Sequence, residues 1–130
     1  MGLYNNIPHE VGIAACRESP DSQMSKVPPT SDITNLIRLV LTSNVFHYRN
    51  EFYLQRHGTA MGTSMAPSYA NLFMGRLERL ILDTAPEQKL PELYVRFIDD
   101  VFGVWLHCET ALLRFIAHAN SAHPDISFTL

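Results

Sequence analysis

Two adjacent aspartates interrupt an otherwise apolar and aromatic run in the second half of the chain. The run extends from Leu93 to Trp105 with the sequence LYVRFIDDVFGVW, and Asp99 and Asp100 lie at its centre. Burying a charge is costly unless the charge is paired or binds a metal. Mg²⁺ sites commonly use one or two protein carboxylates together with substrate phosphates. The pair therefore has two interpretations: turn residues of a hairpin, or ligands for metal ions that activate a hydroxyl and stabilise a leaving oxygen.

A second segment that could do chemistry is rich in glycine and small residues. It extends from His57 to Pro67 with the sequence HGTAMGTSMAP and contains Gly58 and Gly62. Glycine lets a backbone approach a ligand closely, and a helix that begins after such a loop can direct free N–H groups at a phosphate or a base. The Gly-Lys-Ser/Thr ending of a Walker loop is missing. A loop that only starts a helix is the alternative interpretation.

Two arginines lie beside these segments. Arg56 precedes the glycine-containing loop and Arg96 precedes the aspartate pair, so each is a candidate for a phosphate contact, with an ordinary surface position as the alternative. The six histidines show no pair at the helical spacing of a zinc site with a third ligand, so we assign them no metal-binding role.

Apolar residues at helical spacing predict three helices around these segments. The first is capped by Ser31 or Asp32, the second has Pro67 in its first turn, and the third spans Glu109 to Ala122. The proline-containing stretch from Arg17 to Thr30 is predicted to be a surface loop. The buried stripe expected for the first helix consists of Ile33, Leu36, Ile37, Val40 and Leu41. The apolar face expected for the second consists of Tyr69, Leu72, Phe73, Leu77, Leu80 and Ile81.

Segments rich in β-branched and aromatic residues predict the strands. One hairpin is expected from Val45 to Gln55, with Arg49–Glu51 between its strands. A second is expected in the aspartate-containing run, with both aspartates at its turn, and a final strand is expected from Ile126 to Leu130. Phe102 and Trp105 continue a strand and are expected in the core. The order of elements predicts an α+β fold in which an antiparallel sheet carries helices on one face.

Composition and charge restrict the class of protein. The 130 residues correspond to one domain. We see neither a secretory signal nor the run of about 20 apolar residues that a membrane span needs. The cysteines, Cys16 and Cys108, are expected to remain reduced in an intracellular protein and to form no disulfide. A net charge of −3 does not favour stand-alone binding of nucleic acid.

Five stretches, taken in chain order, carry a family resemblance. They are LYNNIPHE at residues 3–10, PPT at 28–30, EFYLQ at 51–55, HGTAMGTSMAPSYANLFM at 57–74 and RFIDD at 96–100. In combination they resemble the reverse transcriptase of Penelope-like retroelements, which is related to the telomerase catalytic subunit. The resemblance runs nearly end to end, and it implies a partial reverse transcriptase domain over residues 1–130: a polymerase palm with part of the fingers.

The resemblance assigns the aspartates a catalytic role. The segment Phe97–Asp100 is similar to the family's aromatic-x-Asp-Asp box. This similarity implies that Asp99 is the principal ligand of the catalytic Mg²⁺ and that Asp100 is the supporting carboxylate. The implied reaction adds deoxynucleotides to a DNA primer on an RNA template and uses two Mg²⁺ ions.

The resemblance also assigns residues to nucleotide binding. Gly62 and Pro67 match the glycine and proline of the loop-helix motif that packs on the template and the incoming nucleotide. Met61 occupies the place where many retroviral-type enzymes carry a glutamine. Tyr4 matches the aromatic residue that contacts the sugar of the incoming dNTP and disfavours a 2′-hydroxyl. The implied partners are thus an RNA template, a DNA primer and a dNTP, and the nucleus is the compartment by family analogy.

The sequence departs from the family pattern in its first motif. The family's first catalytic aspartate would lie four positions before Leu3, which is before Met1, and Asn5 stands where threonine is commoner. Two-metal chemistry needs carboxylates that hold both ions, so we expect little or no polymerase activity from these residues alone. A non-catalytic relic or an incomplete gene model, with at most weak nucleic-acid binding, is one alternative. An unrelated interaction domain whose aspartates only form a turn is another.

The DNA and transcript upstream of the Met1 codon distinguish the first two hypotheses. If the reading frame continues and encodes an aspartate four positions before Leu3, the chain is part of an enzyme with a complete carboxylate set. A stop codon or a frameshift there would instead favour a decaying copy without chemistry of its own. Sequencing of the genomic DNA and of the transcript decides between the two.

Overall fold

Helices and short antiparallel strands give the α+β class that the sequence predicts. The computed structural model describes residues 3–18 and 28–130. These residues divide into two compact units, one that ends at Phe73 and one that begins at Met74. The helices are α1 (Leu3–Asn6), α2 (His9–Glu18), α3 (Thr30–Thr42), α4 (Ala66–Asp83) and α5 (Glu109–Ser121), with a short 3₁₀ turn at Pro86–Gln88. The strands are β1 (Val45–Tyr48), β2 (Glu51–Leu54), β3 (Leu93–Phe97) and β4 (Asp100–Val104).

The first unit is built around the N-terminal half of α4. Tyr69 and Phe73 on this helix are almost fully buried, together with Ile7 and Ile13 from the N-terminal segment. Tyr69 lies against Gly12 of α2, where a β-carbon would overlap the Tyr69 ring. Because glycine has no side chain, α2 can approach the aromatic ring closely. The predicted helix with Pro67 in its first turn is confirmed. Of its predicted apolar face, Leu77 and Ile81 are buried together with Tyr69 and Phe73, but Leu72 is intermediate and the prediction for Leu80 is wrong, since 50% of this residue is exposed.

Helix α3 is confirmed, but its buried stripe differs from the predicted one. The helix begins at Thr30 after Pro29, and neither Ser31 nor Asp32 caps it. The buried residues of α3 are Thr34 and Leu41. Of the predicted stripe, only Leu41 is buried and Ile37 is intermediate. Helix α3 packs against α2, and the spacing of apolar residues along α3 does not by itself tell which of them face α2. The exposed apolar residues of the predicted stripe are Ile33, Leu36 and Val40.

The loop between α2 and α3 is shorter at both ends than the predicted loop from Arg17 to Thr30. Arg17 and Glu18 form the last residues of α2, and Thr30 is the first residue of α3. Residues 19–27 of this loop lie outside the described residues. Two features explain the extension of α2. Arg17 reaches across to the hydroxyl of Thr34, with 3.4 Å from Nε to Oγ1, and a basic side chain at the C-terminal end of a helix is favoured by the helix dipole.

The first hairpin has a tighter turn than the sequence suggests. Strand β1 pairs with β2 so that Tyr48 faces Glu51, which leaves only Arg49 and Asn50 in the turn. Both have positive φ, 50° and 64°, which is the sign pattern of a type I′ turn. Glu51 is thus a strand residue and not a turn residue. All residues of both strands are exposed, including the stacked rings of Phe46 and Tyr53.

The strands form two separate sheets and not the single sheet that was expected. Each described sheet has two antiparallel strands, β1 with β2 and β3 with β4. The predicted strand at Ile126–Leu130 is also absent: these residues are not in a strand. The side chain of Asn120 replaces a partner strand, because its amide oxygen accepts from the Phe128 N–H at 2.6 Å and its Nδ2 donates to the Phe128 carbonyl at 3.0 Å.

The second unit packs the rest of α4, the β3–β4 hairpin and α5 around an apolar interior. Ile81 and Phe115 are buried, and the ring of Trp105 lies 5.4 Å from that of Phe115. Trp105 is half-buried, but the prediction that Phe102 is in the core is wrong, since 63% of this residue is exposed. The strand register explains the difference: Phe102 pairs with Val95 on the face that the helices leave uncovered.

Two phenylalanines of the first unit should differ greatly in the effect of truncation on stability. Phe73→Ala removes a ring that is 2% exposed, and Phe52→Ala removes one that is 77% exposed. We expect Phe73→Ala to lower the free energy of unfolding by about 3–5 kcal/mol, and Phe52→Ala to change it by about 0.5 kcal/mol at most. Urea unfolding of both variants measures this, and equal effects would contradict the described core.

Candidate functional site

The aspartate pair lies at the turn of the β3–β4 hairpin. Phe97 pairs with Asp100 as the last residue pair of the ladder, which leaves Ile98 and Asp99 as a two-residue connection. Asp99 is therefore a turn residue as predicted, whereas Asp100 is the first residue of β4. Both aspartates are exposed, and neither carboxylate forms a hydrogen bond or ion pair with any residue in the described ranges. Both carboxylates can therefore accept an external ligand.

The turn contains a strained backbone. Ile98 has a φ of 58°, in the left-handed region that is a genuine outlier for a β-branched residue. A two-residue turn with positive φ at its first position has the sign pattern of type II′, which usually places glycine there. A residue in such a conformation costs about 1–3 kcal/mol and persists only where its surroundings hold it in place.

A partly buried ion pair connects the hairpin to helix α4. Arg96 Nε donates to Glu78 Oε1 at 2.6 Å, and the two side chains are only 11% and 13% exposed. Tyr94, two residues earlier on the same face of β3, donates its hydroxyl to the same oxygen at 3.0 Å. Burial, and secondarily the charge and hydrogen bond of Glu78, raise the pKa of Tyr94 well above its usual value. The tyrosine therefore remains a neutral donor.

Arg96 also contacts the turn itself. Its Nη1 donates to the carbonyl oxygen of Ile98 at 2.8 Å. The guanidinium thus joins Glu78 to the strained residue that precedes Asp99. The sequence suggested a phosphate contact for Arg96, but the structure engages this side chain inside the protein. The role of Glu78 gives no signal in the sequence, where it is one acidic residue among several on an amphipathic helix.

The two carboxylates are suited to a divalent cation that keeps water or substrate ligands. Hard cations such as Mg²⁺ prefer carboxylate oxygens and commonly take only one or two from the protein. The described residues contain no group of three or more His, Cys, Asp or Glu side chains that could hold an ion. A divalent cation bound at this turn would have Asp99 and Asp100 as its protein ligands, and phosphate oxygens and water would complete the coordination.

The glycine-containing loop is attached to the N-terminal segment of the first unit. The N–H of Thr59 donates to the carbonyl of Tyr4 at 2.7 Å, and the carbonyl of Gly58 lies 2.8 Å from Nε2 of His9. Gly58 has a φ of 69°, and a β-carbon there would lie 2.5 Å from Cα of Asn5. The loop can contact the N-terminal segment this closely only because residue 58 is glycine.

These contacts bring together residues from two of the resembling stretches. Tyr4 and His9 belong to the first stretch, and Gly58 and Thr59 belong to the fourth. Sequence reasoning assigned no role to His9 or Thr59. Their presence in those two stretches was the signal that could have identified them.

Three of the proposed nucleotide-binding residues lie on the exposed part of this loop and at the start of α4. Met61 is 64% exposed, and Gly62 has a φ of 102° with open space where a side chain would be. Pro67 is exposed in the first turn of α4, and Tyr4 is half-buried. The structure thus brings Tyr4 and the loop together in the first unit, while Asp99 and Asp100 belong to the second unit.

Tyr69 contacts the N-terminal segment from the buried side. Its hydroxyl donates to the carbonyl of His9 at 3.2 Å, and the residue is 1% exposed. Burial, followed by the charges of Cys16 and Glu10, raises the pKa of Tyr69 well above its usual value. The neutral hydroxyl therefore remains a donor to the backbone that presents His9 to the loop.

Comparison of the chain with protein-family models, with curated proteins and with solved structures finds no match in any of the three. The family resemblance stays a prediction from the motif residues of the chain. Within residues 3–18 and 28–130, no helix is both long enough and apolar enough to cross a membrane. Cys16 and Cys108 are both free thiols, in agreement with the expectation of no disulfide.

Two glycine substitutions test the attachment of the loop. Gly58→Ala places a β-carbon against the Asn5 backbone at positive φ, whereas Gly75→Ala in α4 meets no atom within 4 Å. We expect Gly58→Ala to lower the melting temperature. Gly75→Ala should raise it, because alanine is favoured over glycine in a helix interior by about 1 kcal/mol. Thermal unfolding followed by circular dichroism measures both, and a Gly58→Ala variant as stable as the unsubstituted chain would contradict the close contact.

Proposed function

We propose that this chain forms part of the palm and fingers of an RNA-directed DNA polymerase of the Penelope-like type. The observation that carries the proposal is the exposure of the Asp99 and Asp100 side chains at the end of a hairpin, where neither carboxylate has a partner within the described residues. A carboxylate pair inside an Arg-Phe-Ile-Asp-Asp segment supplies part of what nucleotidyl transfer requires of the protein, because Mg²⁺ ions need oxygen ligands beside the reacting phosphate.

Each candidate residue has a distinct role under this proposal. Asp99 and Asp100 hold Mg²⁺, which when bound supplies activation of the primer hydroxyl and neutralisation of phosphate charge. Tyr4 contacts the sugar of the incoming dNTP and disfavours a 2′-hydroxyl. Met61 and Gly62 approach the base pair formed with the RNA template, and Pro67 fixes the start of the helix behind them. The protein thus contributes mainly position and charge, which are the principal sources of catalysis in phosphoryl transfer.

The glycine-containing loop supports the nucleotide-binding part of the proposal. Gly62 combines an exposed position, a φ of 102° and open space around its α-carbon. Such a backbone can approach a flat base without a side chain in between. The hydrogen bond from Thr59 to Tyr4 keeps this loop attached to the residue proposed to contact the sugar.

Manganese is a suitable probe of the aspartate pair because Mn²⁺ accepts the same oxygen ligands as Mg²⁺ and broadens nearby nuclear magnetic resonance signals. We expect Mn²⁺ titrated into the chain to broaden the amide signals of Asp99 and Asp100 first. Addition of dTTP should tighten the binding, since triphosphate oxygens complete the coordination. Asp99→Asn should remove the selective broadening.

Asp125→Asn is the matched control, because Asp125 is another exposed aspartate of the second unit, 4.0 Å from Nδ1 of His123. This variant should bind Mn²⁺ at the turn as the unsubstituted chain does. Broadening spread evenly over all acidic residues, with no effect of Asp99→Asn, would overturn the proposal. It would favour the non-catalytic relic or the unrelated interaction domain, and in the second of these the aspartates only form a turn.

A further inference from the structure

Three groups converge on one side of the aspartate-bearing turn. Glu78 of α4 accepts from both Tyr94 and Arg96, at 3.0 Å and 2.6 Å. Arg96 extends from this pair to the carbonyl of Ile98 at 2.8 Å. The chain of contacts therefore runs from a helix, through a guanidinium, to the residue immediately before Asp99.

The contact to Ile98 acts where the backbone most needs support. With a φ of 58°, Ile98 is held in a conformation that its β-branched side chain disfavours. The carbonyl that Arg96 binds belongs to the peptide group that joins Ile98 to Asp99. An orientation fixed for this peptide plane also fixes the backbone orientation of Asp99. The interaction that stabilises it is the charge-assisted hydrogen bond from Arg96.

Glu78 fixes the position of the positively charged guanidinium of Arg96. Arg96 pairs with Val101 across the ladder and lies on the face opposite to that of Asp100. An arginine without a partner beside two free carboxylates would be drawn to them and would compete with a cation. The short bond to Glu78 holds the guanidinium on the helix side of the hairpin and leaves both carboxylates available.

We propose that Arg96, held by Glu78, is a positioning residue for the metal-binding turn. The inference rests on the proposed function, since it concerns Mg²⁺ binding by Asp99 and Asp100. Arg96 contacts neither the cation nor the substrate, and it acts through the Ile98–Asp99 peptide. A guanidinium is suited to both partners, because Nε and Nη1 are separate nitrogens that donate in two fixed directions, whereas the three N–H donors of a lysine all leave one atom.

The variant that tests this inference is Arg96→Lys, which keeps the charge and replaces the two donor nitrogens of the planar guanidinium with one. Arg114→Lys is the matched control: Arg114 of α5 forms a 2.6 Å ion pair with Glu87, and both of these side chains are largely exposed. Two quantities are measured by nuclear magnetic resonance. The first is the backbone chemical shift of Ile98 and Asp99 without metal, and the second is the Mn²⁺ affinity from amide broadening.

We expect Arg96→Lys to shift the Ile98 and Asp99 signals and to weaken Mn²⁺ binding by about 10–100-fold, the usual effect of removing a group that orients a metal ligand. Arg114→Lys should change neither quantity. If Arg96→Lys fails to fold, Glu78→Gln replaces it. This variant keeps an acceptor oxygen, and we expect it to lower the affinity in the same way because it releases Arg96 toward the carboxylates.

The outcomes separate this inference from the proposed function. If the unsubstituted chain binds Mn²⁺ at Asp99 and Asp100 and Arg96→Lys binds it equally tightly, the positioning role alone is overturned. If the unsubstituted chain shows no selective effect of Mn²⁺, the proposed function is overturned and the positioning role with it. A loss of affinity without any shift of the Ile98 signals in the metal-free chain also overturns the inference, because the turn would not depend on Arg96.

Discussion

The ion pair between Glu78 and Arg96 is the interaction on which the arrangement of the aspartates depends. Each side chain is little exposed, and the distance of 2.6 Å is that of a strong charge-assisted hydrogen bond. Removing one partner of such a pair leaves a charge in a poorly solvated place, which costs about 3–5 kcal/mol where burial is complete. The pair fastens a two-stranded hairpin to a helix, and an isolated hairpin of this size is only marginally stable in water.

A second constraint of the same kind applies to the glycine-containing loop. Its attachment depends on the absence of a side chain at Gly58 and on two hydrogen bonds of the loop backbone, one to the carbonyl of Tyr4 and one to the imidazole of His9. Tyr69 supports the same segment from the buried side. In both places a short exposed segment with unusual backbone angles is held by one or two specific polar contacts. Such contacts fix the direction of a few exposed groups and leave the rest of the segment accessible to a ligand.

Much apolar surface remains uncovered in the described residues. Both faces of the first hairpin are exposed, and so is the face of the second hairpin that carries Val95, Phe97 and Phe102. Strands with free edges and exposed apolar side chains are prone to pair with other chains. In contrast, helices α2, α4 and α5 each bury several residues along one face.

The amino-acid sequence determined most of the local elements and the position of Asp99. Segments rich in β-branched and aromatic residues predicted both hairpins, Pro67 marked the start of α4, and Asp99 was correctly assigned to the turn, whereas Asp100 is the first residue of β4. Only the tertiary structure decided the rest. Burial on α3 followed the line of contact with α2, so Thr34 replaced Ile33 and Leu36. The strand register moved Phe102 to the open face, and Asn120 took the place of a partner strand for Phe128. The partnership of Glu78, Arg96 and Ile98 joins residues 18 and 2 positions apart. No periodicity predicts such a contact, because it depends on how a helix and a strand face each other in space.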